Sequence, residues 1–275
     1  MIGIFDSGSG GLTVLRALKT AMPAQDFIYL GDHRNAPYGH RSNEDIVRLT
    51  TDAIDFLMQR GCRLVVLACN TAAAVALRFV QQNWLPAHYP DRRVLGVLVP
   101  MVEAVTGVPW HIQEPLPASH RDNRTLALFA TRKTVESHAY TDELTKRTPN
   151  IKLVAKACPG LVDAIEGGAG RGPLTGLING YVSEIIHSMG NKRPDAAILG
   201  CTHFPIVEQY FAAALGPNVP IYSQPEIVAE SLGDYLSHHP EFACHGTGQL
   251  ELLTSGDAYG EWLPDDIGAF ASLRP

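Results

Sequence analysis

The chain alternates short apolar runs with longer segments of helical period, and this rhythm constrains its fold more than any other feature. It is the signature of an α/β protein on mostly parallel sheet. The apolar runs predict strands at Ile2–Phe5, Phe27–Leu30, Leu64–Ala68, Val94–Val99, Thr125–Phe129, Ile151–Ala155, Ala196–Leu199 and Ile221–Tyr222. Between them, Leu12–Met22, Asn43–Gln59, Thr71–Asn83, Thr134–Lys146, Thr175–Met189 and Pro225–His238 are helix-compatible. Ile46, Leu49, Ala53, Phe56 and Leu57 recur at three and four, so one face of their helix can pack on a sheet. Two loops break the rhythm. His33–Ser42 carries Pro37, Tyr38 and Gly39, and Val108–Asn123 holds three prolines in a polar stretch, as expected of a surface excursion near a domain boundary.

Composition bounds the rest. With 275 residues, 45% hydrophobic and 18% charged, there is material for one large or two small domains with real cores. Five cysteines stand singly at 62, 69, 158, 201 and 244 with no CxxC pair, which excludes a disulfide-built scaffold or a zinc-finger-type site and suits a reducing compartment. Asp6 appears before a basic n-region or an apolar h-region can form, and no apolar run approaches a membrane span of ~20 residues. A cytoplasmic location is therefore expected, with no membrane partner. A net charge of -6 gives no broad basic field for nucleic acid, and the basic cluster Arg121–Lys133 reads as a solvated loop and strand edge.

Ligands of open α/β sheets collect outside the carboxyl ends of the strands, where loops converge and helix N-termini offer unpaired N–H groups. Three segments meet that description: Phe5-Asp6-Ser7-Gly8-Ser9-Gly10-Gly11-Leu12, Ala68-Cys69-Asn70-Thr71 and Gly200-Cys201-Thr202-His203. The first has no Gly-Lys-Ser/Thr and so is no Walker A loop, and Thr13 stands where the dinucleotide fingerprint needs its third glycine. An aspartyl-phosphate enzyme would want a carboxylate where Gly8 stands. The amides and the Ser7 and Ser9 hydroxyls remain to hold a carboxylate, with Asp6 as base partner or amine acceptor; the glycines alone read equally as a tight strand-to-helix turn.

The two cysteine segments echo each other. Leu64–Thr71 and Asp195–His203 each run from an apolar strand through a small residue to a cysteine and then to polar residues. A thiol near a helix N-terminus is expected to fall below its ordinary pKa of about 8.5. Cys62 and Cys244 read as structural, and Cys158 before Pro159 is ambiguous. Paired thiols can form a disulfide switch, share a metal, or transfer a proton from opposite faces of a substrate. Only His203 lies close in sequence to either thiol, so the metal reading is thin. A Cys-His-Asn hydrolase using His203 would leave one thiol without a role.

Phe-Asp-Ser-Gly-Ser-Gly-Gly-Leu (5–12), Gly-Asp (31–32), Pro-Tyr-Gly (37–39), Cys-Asn-Thr-Ala (69–72), Ala-Cys-Pro (157–159), Gly-Cys-Thr-His-Phe-Pro (200–205) and Leu-Thr-Ser-Gly-Asp (253–257) stand in order and spacing that resemble the glutamate racemases, cofactor-independent members of the aspartate/glutamate racemase superfamily. The resemblance implies two similar open-sheet α/β domains related by pseudo-symmetry, with the active site in the cleft between them. The first domain would comprise residues 1–95 plus 208–275, and the second, inserted domain residues 96–207. It further implies interconversion of L- and D-glutamate for peptidoglycan precursor synthesis, with Cys69 and Cys201 exchanging the roles of thiolate and thiol. Asp6 would assist Cys69, His203 would assist Cys201, and Glu166 matches a further acidic residue. Ser7, Tyr38, Gly39, Asn70, Thr71 and Thr202 match residues that hold the substrate, together with Asp6 and His203, and Thr131 and Thr134 are additional contacts. No cofactor and no metal are implied, and none of the six lysines follows a strand in a glycine-rich phosphate setting that would suit pyridoxal phosphate. A homodimer is expected. The first strand begins at Ile2, so dependence on a precursor activator that acts through an N-terminal extension is not expected. Three positions depart from the family pattern: His33 at the pocket rim stands where many members carry Thr or Ser, Lys133 stands where glycine is common, and Ile221-Tyr222-Ser223-Gln224 lacks the acid often seen after that strand.

Two readings compete with this one: a superfamily enzyme acting on aspartate, and an amino-acid sensor without catalysis on the same cleft. The His-Phe-Pro after Thr202 favours glutamate.

Overall fold

The computed structural model describes residues 1–109, 123–243, 246–257 and 271–272. In chain order the elements are β1 (Ile2–Asp6), α1 (Leu12–Ala21), β2 (Phe27–Gly31), α2 (Asn43–Gln59), β3 (Leu64–Leu67), α3 (Asn70–Phe79), α4 (Leu85–His88), β4 (Arg93–Gly96), α5 (Leu98–Thr106) and β5 (Thr125–Ala130). There follow α6 (Arg132–Glu136), α7 (Ala139–Arg147), β6 (Lys152–Ala157), α8 (Leu161–Glu166), α9 (Arg171–Ser188), β7 (Ala196–Gly200), α10 (Glu208–Leu215), β8 (Ile221–Tyr222), α11 (Gln224–His238), β9 (Leu250–Thr254) and β10 (Ala271–Ser272).

The strands form two sheets, ordered β10-β9-β2-β1-β3-β4 and β6-β5-β7-β8, in which every pair is parallel. The order second, first, third, fourth recurs in both sheets, as β2-β1-β3-β4 and β6-β5-β7-β8. That repeat explains the echo in the sequence: β3 and β7 are the third strand of their respective sheets, and Cys69 and Cys201 lie just beyond their carboxyl ends.

Helices cover both faces of such a sheet, so its strands are continuously apolar. All of β1, β2, β3 and β7 is buried. The second sheet separates two cores. Leu126, Leu128, Ala130, Ala196 and Ile198 join the core of the first sheet, whereas Ala127, Phe129, Ala197 and Leu199 face Ile178, Tyr181, Phe204 and Phe211. This division follows the two-residue period of a strand. Helix α2 begins at the expected residue because Ser42 caps it, accepting from the Asp45 N–H at 3.1 Å, with Glu44 and Asp45 in the first turn where the helix dipole favours acids.

Several expectations are corrected. The run 94–99 is strand only to Gly96, where a Cβ would come within 2.6 Å of the Leu77 side chain; Leu98, Met101, Val102 and Val105 then bury at helical spacing in α5. The helix expected over 134–146 is two, broken at His138, which takes the left-handed conformation at φ 58°. Helix α3 stops at Phe79 and passes through a π-helical turn, Val80–Trp84, into α4. The boundary expected at residue 207 does not follow the cores. Phe211 and Leu215 of α10 bury in the second core, where Phe211 meets Phe129 and Phe204 at ring separations of 5.0 and 5.7 Å, and β8 pairs with β7. The chain rejoins the first core with α11, whose Val228, Ala229 and Leu232 bury there. The strands β9 and β10 had no counterpart among the expected strands. The stretch from Trp110 to Asp122 of the proline-containing loop, and Cys244, lie outside the described residues.

The returning segment docks through a buried carboxylate. Asp26, just before β2, accepts with Oδ1 from the Thr247 and Gln249 N–H groups at 3.1 and 2.7 Å, beside the ladder that pairs β9 with β2. Asp26→Ala leaves both amides without this acceptor and is expected to lower unfolding free energy by about 2 kcal/mol, with Asp26→Asn costing less. The urea midpoint at unchanged m-value is the measurement, and a shift no larger than that of an exposed alanine substitution would contradict it.

Candidate active site

The site begins at Asp6, the last residue of β1 and wholly buried. Its Oδ1 accepts from the Gly8 N–H at 2.9 Å, and its Oδ2 from the Thr202 hydroxyl at 3.1 Å, so the carboxylate joins the loops at the ends of the two sheets. The Thr13 hydroxyl lies 3.1 Å from the Thr202 carbonyl across the same junction. Glycine is required here by close approach. A Cβ on Gly10 would stand 2.5 Å from both Thr202 Oγ1 and His203 Nδ1, and one on Gly11 would stand 2.6 Å from Asp6 Cβ.

Cys69 is the N-cap of α3: its sulfur accepts from the Ala72 N–H at 3.5 Å and lies 3.4 Å from Ser7 Oγ. Its backbone N–H reaches Phe5 of β1 at 3.4 Å, which ties the thiol to the strand that carries Asp6. Cys201 follows β7 directly. Its sulfur is 4.0 Å from His203 Nδ1, and His203 Nε2 is 2.8 Å from Glu166 Oε1 at the end of α8. Both thiols are 5% exposed. The structure thus brings together Asp6, Ser7, Cys69, Cys201, Thr202, His203 and Glu166 from both sheets.

The remaining expected residues divide into groups. Thr71, Thr131 and Thr134 form a hydroxyl triangle, with Thr71 to Thr131 at 2.9 Å, Thr131 to Thr134 at 3.0 Å and Thr71 to Thr134 at 3.4 Å. Gly39 abuts it, since a Cβ there would be 3.3 Å from the Thr131 side chain. Tyr38 is buried and its hydroxyl donates to Asp32 Oδ2 at 2.8 Å, so that hydroxyl is committed within the protein. Asn70 is buried at the first turn of α3 and accepts from Tyr140 and Gln224. The departures also find places. His33 lies 2.7 Å from Ser9 Oγ and 2.8 Å from Thr254 Oγ1, linking the glycine loop to β9. Lys133 pairs with Glu136 on α6, whose start Thr131 caps. Tyr222 is half-buried on β8. Cys62 and Cys158 pack in the first and second cores.

The expected lowering of the thiol pKa values is overturned. Burial pushes the Cys69 thiol up to about 11, and the neighbouring Asp6 carboxylate adds to it, against hydrogen bonds from Ser7 and the Ala72 amide. Burial likewise holds Cys201 well above the ordinary thiol range, opposed by the His203 backbone amide and reinforced by negative charge on Cys69 and Asp6. The helix N-terminus acts on Cys69, but desolvation is larger. Asp6 itself is raised by burial, against the His203 charge, the Gly8 and Gly11 amides and the Thr202 hydroxyl. Burial lowers His33, so it favours the neutral ring.

Among the described residues, no group of three or more His, Cys, Asp or Glu side chains is arranged to hold a metal ion, and no helix is long and apolar enough to cross a membrane. Sequence reasoning missed Tyr140 and Gln224 as partners of Asn70. Gln224 opens a helix after a two-residue strand and meets Asn70 across 154 positions, a relation that no local pattern encodes.

No protein-family model matches the chain. A curated relative, the glutamate racemase of Jannaschia sp. (strain CCS1), is 48% identical over 256 residues, which is 93% of this chain and 91% of the relative. Among solved structures, glutamate racemase from Thermus thermophilus in complex with β-chloro-D-alanine superposes with a TM-score of 0.79 at 30% identity, over 99% of this chain and 96% of that one. Glutamate racemase from Francisella tularensis subsp. tularensis SCHU S4 in complex with D-glutamate gives 0.79 at 28% identity, over 93% and 88%.

Gly10→Ala inserts a methyl group between the two sheet ends and must displace Thr202 and His203. Turnover is expected to fall about 100-fold, the scale of a misplacement near 1 Å, while the melting transition stays cooperative. Parent-level turnover in a folded Gly10→Ala protein would show that the close approach is not required.

Proposed function

The chain belongs to the glutamate racemase family, and we propose that it interconverts L- and D-glutamate by passing the Cα proton between Cys69 and Cys201 without pyridoxal phosphate. The observation that carries this reading is the pair of buried thiols at the ends of topologically equivalent strands, each with a different acid–base partner.

The Cα hydrogen of an amino acid is a very weak acid, so its removal needs close approach, a site closed to water and a base matched to the task. Inversion also needs an acid on the opposite face. Two fixed thiols meet both needs. In one direction the thiolate of one cysteine takes the proton from Cα while the S–H of the other gives a proton to the opposite face; the reverse direction exchanges the roles. Glu166 orients His203 through Nε2, which leaves Nδ1 toward Cys201 as acceptor of its thiol proton. Asp6 acts on Cys69 through its charge, which raises that thiol, while its own oxygens accept from the Gly8 amide and the Thr202 hydroxyl. The bound ammonium group favours the anions that burial disfavours, so thiolate formation is coupled to substrate entry. Neutral donors, among them Ser7, Asn70, the Thr71, Thr131 and Thr134 hydroxyls and the amides around Gly39, hold the substrate without a guanidinium clamp that would stabilise ground and transition states alike. In this reading Tyr38 contributes through its backbone, its hydroxyl being held by Asp32. The role we assign to the product, D-glutamate for peptidoglycan precursors, rests on family membership.

Circular dichroism of L- and D-glutamate solutions tests the activity. Loss of optical signal from either enantiomer is expected, faster than for aspartate, and Cys69→Ser or Cys201→Ser is expected to slow it by more than about 1000-fold, since a serine hydroxyl is a far weaker acid than a thiol. Faster racemisation of aspartate would overturn the substrate, and near-parent rates in both serine variants would overturn the mechanism. The sign of the pH dependence follows from Cys69, raised to about 11. The free thiol is protonated at neutral pH and the thiolate fraction grows as pH rises, so kcat/KM, which reports the free enzyme, is expected to rise from pH 7 to 9. A profile that is flat or falls across that window would contradict it.

A further inference from the structure

Asn70 lies between Cys69 and Thr71, so its neighbours along the chain reach Ser7 at 3.4 Å and Thr131 at 2.9 Å within the cleft. Its own amide is 2% exposed and asymmetric in its bonding. The carbonyl oxygen accepts from the Tyr140 hydroxyl at 2.9 Å and from Gln224 Nε2 at 2.7 Å, which fills both of its acceptor sites. The Nδ2 group has no hydrogen-bond partner. A buried N–H donor left unpaired loses its hydration without return, and the great majority of buried polar groups are paired. Three elements meet at this amide: α3 carries it, while α7 and α11 supply the donors to its oxygen and leave the NH2 without a partner.

Gln224 is fully buried and lies at the first position of α11. Its amide nitrogen serves Asn70 and also opposes the raising of the Tyr140 phenol by burial, while its own Oε1 has no partner. The side chain therefore forgoes one hydrogen bond and keeps its NH2 on the Asn70–Tyr140 pair. Rotating the Gln224 amide would set Oε1 against Asn70 Oδ1, two acceptors face to face. Tyr140, buried and held as O–H, gives the second donor.

We propose that Gln224 and Tyr140 are positioning residues of the racemase site: they lock the Asn70 amide so that its NH2 group faces the substrate and binds a carboxylate oxygen. The NH2 end can donate only, so it accepts a carboxylate and rejects the ammonium group, which fixes which end of the amino acid lies beside Cys69. This assignment rests on the racemase reading and deepens it.

A double-mutant cycle tests it. KM and kcat for D-glutamate, and Kd by calorimetry, are measured for the parent, Gln224→Met, Asn70→Ala and the double variant, with a melting curve for each. Gln224→Met is expected to raise KM and Kd about tenfold, the scale of one lost buried hydrogen bond, with kcat changed less than about threefold. In the Asn70→Ala background the same substitution is expected to add less than about twofold, because the group it orients is gone. Unchanged KM and Kd, an equal penalty in both backgrounds, or a loss confined to kcat would overturn the proposal. If Gln224→Met does not fold, Tyr140→Phe, which removes a single hydroxyl, takes its place in the cycle under the same criteria. Gln224→Glu adds a second sign: an acceptor in place of the NH2 reverses the Asn70 amide and weakens binding, whereas parent-level binding by this variant would assign the opposite amide orientation and overturn the proposal. A parent protein that neither binds nor racemises glutamate would overturn the racemase reading itself, whereas a parent that binds and a Gln224→Met that binds equally well overturns only the positioning role.

Discussion

The junction between the two sheet ends is organised by one carboxylate kept out of water. Asp6 is wholly buried at the end of β1, where desolvation works against its charge, and the Gly8 and Gly11 amides and the Thr202 hydroxyl offset part of that cost. Because one of those donors belongs to the second sheet, satisfying Asp6 and joining the two sheets are the same event. The glycine at 10 follows from this requirement, since a side chain there would hold the two loops apart, and the glycine at 11 leaves room for the Asp6 side chain itself. The charge of Asp6 also bears on both thiols, adding to the larger effect of burial in raising each.

The two halves are alike in topology and unlike in chemistry. Both third strands end at a cysteine, but Cys69 caps a helix beside Asp6, while Cys201 sits in a turn beside the His203–Glu166 pair. A proton donor and acceptor for opposite faces of one carbon need no identical surroundings. They need matched reach, which in the proposed reading the duplicated strand order provides. In the proposed reading, His203 takes up the Cys201 proton, and the threonine triangle and Asn70 hold the substrate between the two thiols.

Much of this was legible in the chain. Continuous apolar runs located the strands because parallel strands are buried on both faces, and the echo of Leu64–Thr71 in Asp195–His203 located the two thiols because equivalent strands end alike. Three features were not legible, each for a physical reason. The direction of the thiol pKa shifts depends on burial and on Asp6, and neither is a property of the local segment: the helix N-terminus near Cys69 is visible in the sequence, whereas the stronger desolvation is not. The place of α10 and β8 in the second core depends on Phe211 meeting Phe129 and Phe204, residues that are distant or unpatterned in sequence. The bond from Gln224 to Asn70 joins residues 154 positions apart. Tyr38 shows a subtler limit, since its motif was visible but the commitment of its hydroxyl to Asp32 was not.

The central claim is that Cys69 and Cys201 act as two separate bases on opposite faces of Cα. Early turnover of L-glutamate in deuterium oxide, followed by mass spectrometry of the separated enantiomers, tests it most directly. Two bases predict that the first D-glutamate formed carries deuterium at Cα while the remaining L-glutamate keeps its protium. A single base exchanging on both faces would instead return substrate-derived protium to the product or label the L-glutamate pool as fast as the product, and either result would contradict the account.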